Sequence, residues 1–148
     1  MEKNYVFYQK SDLGHYTAEA FTVRCVDDRF WKTFKNFLRA EGITHIDPKS
    51  PAGGAKVFSS PEKDSDRDFM LRELEKSIKL HAVSKVMLFT HHDCGAYGGF
   101  KAFEENPEKE YEAHVAEHKK AKAIIRDQFP DLRVETYFID EKGVIHTL

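Results

Sequence analysis

Cysteine is nearly absent from this sequence of 148 residues, which holds only Cys25 and Cys94. A chain of this length buries enough core to fold without covalent staples, and so few cysteines exclude a disulfide scaffold. An excess of one charge is missing as well. Lysine and arginine number 23 against 25 aspartates and glutamates, so the basic surplus that phosphate-backbone binding rests on is lacking, and nucleic acid is not an expected partner. Long hydrophobic runs are also missing. The longest, Val86 to Phe89, falls far short of a bilayer span, and Met1 to Tyr5 lacks the apolar stretch of a secretory leader. No membrane partner is therefore expected, and the expected compartment is the cytoplasm. Repeats, low-complexity tracts and linkers do not occur, which leaves residues 1–148 as one expected domain. In a reducing compartment, two such cysteines are buried thiols, metal ligands or nucleophiles. Their neighbours decide which.

What is present is an alternation of strand and helix patterns. Residues 1–17 mix aromatics (Tyr5, Phe7, Tyr8, Tyr16) with polar groups at no sustained period, and read as an arm with room for a short strand. Ala18 to Val26 alternates and is rich in β-branched and aromatic residues, which predicts a strand ending near Cys25. Asp27-Asp28-Arg29 then turns the chain. Phe30, Trp31, Phe34, Phe37 and Leu38 mark one face of a helix that Gly42 closes. Ile43 to Ile46 predicts a short strand, and Asp47 to Ala55 a loop dense in proline and glycine. Ser60 and Pro61 predict the cap and first position of a second helix, with Asp64 to Asp68 able to delay its regular turns, and its buried face is Met70, Leu71, Leu74, Ile78 and Ala82. Lys85 to Thr90 is a near-continuous apolar run, the pattern of a central parallel strand covered on both faces. A long helix with Tyr111, Val115, Ala121, Ile125 and Phe129 as its stripe stops at Pro130. An alternating strand from Arg133 to Ile139 and a turn at Asp140 to Gly143 lead into an edge strand or hairpin, Val144 to Leu148. The expected fold is α/β, a mostly parallel central sheet flanked by helices.

In such sheets ligands gather beyond the carboxyl ends of strands, where both Cys25 and His91 fall. His91 and Cys94 lie three apart on a tight loop. With Cys25 from another strand they offer two thiolates and one imidazole, a donor set that suits zinc, and three protein ligands leave the open fourth position of a catalytic site. Asp27 and Arg29 lie two apart and pair across an extended turn, where the guanidinium fork keeps the carboxylate ionised and oriented. Released from Arg29, Asp27 would take the fourth position itself. The competing readings are buried core thiols with a hydrogen-bonded histidine, and an ordinary surface ion pair. His114 and His118 share a helix face but lack an evident third ligand, and read as solvated or packing residues. His92 is expected to be exposed, capping its loop or relaying protons. Gly95, Gly98 and Gly99 read as backbone requirements. A phosphatase loop is excluded, because the positions six beyond Cys94 and Cys25 hold Phe100 and Trp31 rather than arginine.

Taken together these residues resemble the β-class carbonic anhydrases. Their signature, Cys-x-Asp-x-Arg after the first strand and His-x-x-Cys-Gly after a later one, is matched by Cys25, Asp27, Arg29, His91, Cys94 and Gly95. Either motif alone would be weak; two in order at strand ends are specific. The likeness extends over most of the chain, since Pro51-Ala52-Gly53-Gly54 stands where the family has Arg-Asn-Ala-Gly, and Val134 to Leu148 looks like its closing strand and hairpin. The resemblance implies one zinc per chain on Cys25, His91 and Cys94, Asp27 and Arg29 as catalytic residues, and a homodimer or higher even oligomer. The implied reaction is reversible hydration of carbon dioxide to bicarbonate by a zinc-bound hydroxide. Three departures stand out: few residues precede the first strand, the Arg-Asn pair is absent, and Tyr16 lies nearest the position of a substrate-side glutamine, the only glutamines being Gln9 and Gln128. Alternative expectations are hydrolysis of carbonyl sulfide or carbon disulfide on the same site, and a non-catalytic zinc-binding dimer.

Overall fold

The computed structural model describes residues 1–148. Its centre is β3 (Lys85–His91), the most apolar segment, which lies between β1 (Ala20–Val23) and β4 (Arg133–Ile139). Beyond these, β2 (Ile46–Lys49) and β5 (Val144–His146) form the edges, giving the order β2-β1-β3-β4-β5. The first four strands run parallel; β5 returns antiparallel to β4. Successive side chains of a strand face opposite ways, so β3 feeds two cores. Val86 and Leu88 meet Phe21, Phe58, Leu74 and Ile125, while Met87 and Phe89 meet Phe34, Leu38 and Tyr137. The helices are α1 (Trp31–Ala40), α2 (Lys56–Ser59), α3 (Asp64–His81) and α4 (Pro107–Gln128). None is long and apolar enough to cross a membrane.

Four expectations need correction. The strand expected at Ile43 to Ile46 begins at Ile46 and includes Pro48, paired with Thr22. Proline is tolerated there because β2 is an edge strand, where a missing N–H need not break a ladder. Ser60 does not cap α3. It ends α2, and its hydroxyl donates to Glu117 at 3.1 Å, while the Lys63 N–H finds the Asp66 carboxylate at 3.3 Å and the helix starts at Asp64. That helix buries Met70, Leu74 and Ser77, with Leu71 and Ile78 packed at the margin and Ala82 exposed beyond its end. The arm holds no strand. Residues 1–17 are all exposed and have no ladder partner, and Tyr16 alone among them is tied down, donating to Asp47 at 2.7 Å between the rings of His45 and His81.

The fourth correction concerns α4, whose buried stripe is Glu110, His114, His118, Ala121 and Ile125. Tyr111 and Val115 are half-buried on its flank. The period is helical as expected, but three of the five inward positions are polar. Asn106 caps this helix, accepting from the Glu108 and Lys109 N–H groups at 3.0 and 3.2 Å, with Pro107 at its first position.

Candidate metal centre

Parallel pairing of β1 with β3 sets Val23 beside Leu88, so the chain leaving each strand arrives at the same edge. Cys25 lies two residues beyond β1, His91 is the last residue of β3, and Cys94 follows on the turn. All three are buried, and their ligand atoms lie within 4.8 Å of one another. The two sulfurs are 3.9 Å apart. Two thiolates on a tetrahedral metal with bonds of about 2.3 Å would be separated by about 3.8 Å, so the sulfurs already stand at coordinating distance. His91 Nδ1–H donates to the His92 carbonyl at 2.7 Å. Its lone pair is therefore on Nε2, which is buried and has no hydrogen-bond partner. The ring of Phe30 covers this imidazole at 4.6 Å between centroids.

The loop before α2 closes the site from the β1 side. The Gly53 N–H donates to Cys25 Sγ at 3.2 Å. At Gly54, a Cβ would lie 2.1 Å from the Phe89 carbonyl oxygen and 3.0 Å from the Cys25 nitrogen, and φ is +57°. Only glycine lets the loop come this close. Among the motif glycines, Gly98 and Gly99 take positive φ as expected, whereas Gly95 does not.

The hydrogen bond shared with Cys94 holds the Cys25 thiol well below its ordinary value despite burial, with His91 and the Gly53 N–H adding to the effect. The same bond, together with burial, pushes Cys94 up. The two sulfurs thus resist carrying negative charge together unless a cation sits between them. Burial works against a charged His91, but the nearby Cys25 sulfur and the His92 carbonyl outweigh this and raise its pKa.

Asp27 and Arg29 are paired as expected. Arg29 Nη2 and Nε reach the Asp27 carboxylate at 2.7 and 3.1 Å, and the Arg29 N–H adds a bond at 2.9 Å. These bonds bring the Asp27 carboxyl down to about 2. Asp27 Oδ2 stands 3.8 Å from His91 Nε2, beside the metal-facing atom without replacing it.

Sequence reasoning missed two acidic residues. Asp93 holds the far side of the Arg29 guanidinium through its Oδ2 at 3.1 Å and its carbonyl at 3.0 Å. Glu110, buried on α4, accepts from the Asp93 N–H at 2.9 Å and bonds His92 Nδ1 at 2.6 Å. An acid in the first turn of a helix carries no sequence mark that it points inward. His92 is accordingly half-buried against Glu110 and Phe100 rather than exposed. His114 and His118 are not solvated. His118 bridges Thr90 and Thr147, each at 2.8 Å, while both ring nitrogens of His114 are buried without partners. Burial lowers their pKa values to about 4 and about 3 respectively, the charge of His118 adding to the effect on His114. Tyr16 packs at the amino end of β1, away from the metal-facing edge.

Fold and site together define an α/β protein with a buried Cys-His-Cys cluster, able to bind a metal, at the carboxyl edge of a parallel sheet. The family described as "Putative carbonic anhydrase" matches residues 17–148. The chain belongs to this family. An uncharacterized protein from Rickettsia bellii is 28% identical over 134 residues, covering 88% of this chain and 82% of that one. Among solved structures, β-carbonic anhydrase isoform I from Trichomonas vaginalis superposes with a TM-score of 0.64 at 14% identity, covering 95% of this chain and 88% of its own. The carbonic anhydrase of Streptococcus mutans does so with a TM-score of 0.59 at 16% identity and the same coverages, 95% and 88%. At such identities these two superpositions show a shared fold.

Proposed function

We propose that this chain is a zinc-dependent carbonic anhydrase that interconverts carbon dioxide and bicarbonate, its zinc held by Cys25 Sγ, His91 Nε2 and Cys94 Sγ. The observation that carries the reading is the carboxylate of Asp27, held by Arg29 and set 3.8 Å from the ligand atom of His91. A purely structural zinc has no use for such a group; an open metal position does. Zinc bound there supplies a Lewis acid that makes water acidic enough to act as a nucleophile near neutral pH. Arg29 keeps Asp27 ionised and turned aside. Asp27 Oδ2 then accepts a hydrogen bond from the reacting water, which leaves an oxygen lone pair directed at the carbon of the substrate. Phe30 shields the His91 side of the site from bulk water. The smallest working unit in this reading is a homodimer, supported by the run of exposed apolar residues on the arm, Tyr5, Val6, Phe7, Tyr8 and Leu13.

Metal analysis and stopped-flow hydration test the proposal together. Zinc should co-purify in equal ratio to chains and be lost on Cys25→Ser or Cys94→Ser, because a hydroxyl does not replace a thiolate ligand at neutral pH. Wild type and both variants equally empty after zinc supplementation would remove the metal assignment. Zinc-loaded wild type that hydrates no carbon dioxide would leave a non-catalytic zinc module in its place.

A further inference from the structure

Glu110 is fully buried, 1% exposed, yet neither of its oxygens faces the three sulfur and nitrogen ligand atoms. Both are spent on the turn that follows His91. Oε2 accepts the Asp93 N–H at 2.9 Å and Oε1 bonds His92 Nδ1 at 2.6 Å. That turn is not relaxed, since Asp93 is a non-glycine residue at φ +55°, a conformation that needs support from its surroundings. The support has an output. Asp93 uses Oδ1 to accept the Phe100 N–H at 2.8 Å, and turns Oδ2 and its backbone carbonyl toward Arg29. The guanidinium of Arg29 is more than half exposed, with a side-chain accessibility of 54%, so Asp27 alone would not fix it. It is bracketed between Asp27 on one side and Asp93 on the other.

We infer that Glu110 is a positioning residue that acts through Asp93 and Arg29 to keep Asp27 turned away from the fourth metal position. This deepens the proposed function and rests on its metal site. Without the anchor at Asp93, Arg29 has one carboxylate to hold it instead of two. Asp27 Oδ2, already 3.8 Å from His91 Nε2, needs only a short movement to become a ligand. The anionic oxygen is a competent zinc donor, so the position would close from within.

Cobalt(II) in place of zinc gives a visible spectrum, and thiocyanate added to it reports whether the fourth position is open. Glu110→Leu suits the helix and approximates the buried volume, but offers Asp93 and His92 no acceptor. It should bind cobalt as wild type does while its thiocyanate dissociation constant rises roughly tenfold or more, the factor by which the open state is depopulated. In Glu110→Leu combined with Asp27→Ala, affinity should return to the level of Asp27→Ala alone, because no carboxylate remains to close the position. A general loosening of the fold would not be rescued in this way. Should the leucine variant not fold, Asp93→Asn tests the next link from the exposed side, since asparagine tolerates positive φ. It should shift thiocyanate binding in the same direction and be rescued by the same second change. Unchanged affinity in folded Glu110→Leu, or a loss that Asp27→Ala does not restore, overturns the inference. Wild type that takes up no cobalt overturns the metal site and the inference with it. The predicted pattern in a protein that hydrates no carbon dioxide supports the inference and removes only the reaction.

Discussion

Burial leaves both ring nitrogens of His114 without partners among Tyr97, Phe103 and Phe138, and its pKa falls to about 3. His118, on the same face, falls to about 4. Both folded values lie below the unfolded value of 6.5, so the neutral forms are favoured by folding. The unfolded chain therefore binds more protons from pH 6.5 down to about 4 for His118 and about 3 for His114, and their contribution is complete above 6.5 and lost as pH falls through those windows. Each group contributes a slope of up to roughly 1.4 kcal/mol per pH unit. His114→Leu should hold or raise stability at pH 7 and flatten the loss towards pH 5, as read by urea unfolding at both pH values; an unchanged slope would mean the imidazole takes up its proton in the folded state. The Asp27 and Arg29 pair makes a second prediction at this scale. Arg29→Ala should keep its zinc but lose hydration activity by orders of magnitude, because the freed carboxylate displaces the reacting water. Asp27→Ala leaves the position open and costs less, with a shifted pH profile in the same assay. Equal activity in Arg29→Ala and wild type would end the gating role. The convergence of Cys25, His91 and Cys94 and the pairing of Asp27 with Arg29 were legible because their spacing is tied to strand ends. Glu110 was not, since its partners are reached only through the folded turn.

Elements were legible where burial and apolarity coincide, and obscured where they part. In β3 every residue from Val86 to His91 is buried, and the apolar run announces it. α4 inverts the rule at three inward positions, Glu110, His114 and His118. A stripe drawn through its apolar residues therefore lands on the flank. β2 was displaced by Pro48, which reads as a breaker unless the strand is known to lie at an edge. The loop expected from Asp47 to Ala55 was read from its prolines and glycines, but only the fold shows what Gly53 and Gly54 approach. Gly54→Ala should force this loop off the Phe89 carbonyl and carry the Gly53 N–H away from Cys25. The expected cost is roughly 2 to 4 kcal/mol in urea unfolding, with weaker zinc retention against a chelator. A variant as stable and as zinc-retentive as wild type would show that the loop moves aside freely.

Over the whole molecule, the arm is the feature a single copy leaves unexplained. Val6 and Leu13 are almost wholly exposed, at 95% and 91%, and the arm's attachment to its own copy ends at Tyr16. Light scattering should find a dimer or a multiple of one at micromolar concentration, and removal of residues 1–14 should weaken association while leaving far-UV dichroism intact. A monomeric full-length chain would detach the arm from assembly. The separation of the two sulfurs along the chain, 69 positions, has a kinetic consequence. Between β1 and β3 lie α1, β2, α2 and α3, so Cys25 meets Cys94 only after β1 has docked on β3 across that intervening unit. Such distant pairing is slow because loop closure must precede the contacts that reward it. Zinc should then leave the refolding rate nearly unchanged and slow unfolding instead, since it stabilises contacts absent from the barrier. In stopped-flow chevrons the unfolding limb would drop with added zinc while the folding limb stayed in place, making the metal a lock fitted after the chain has found its shape.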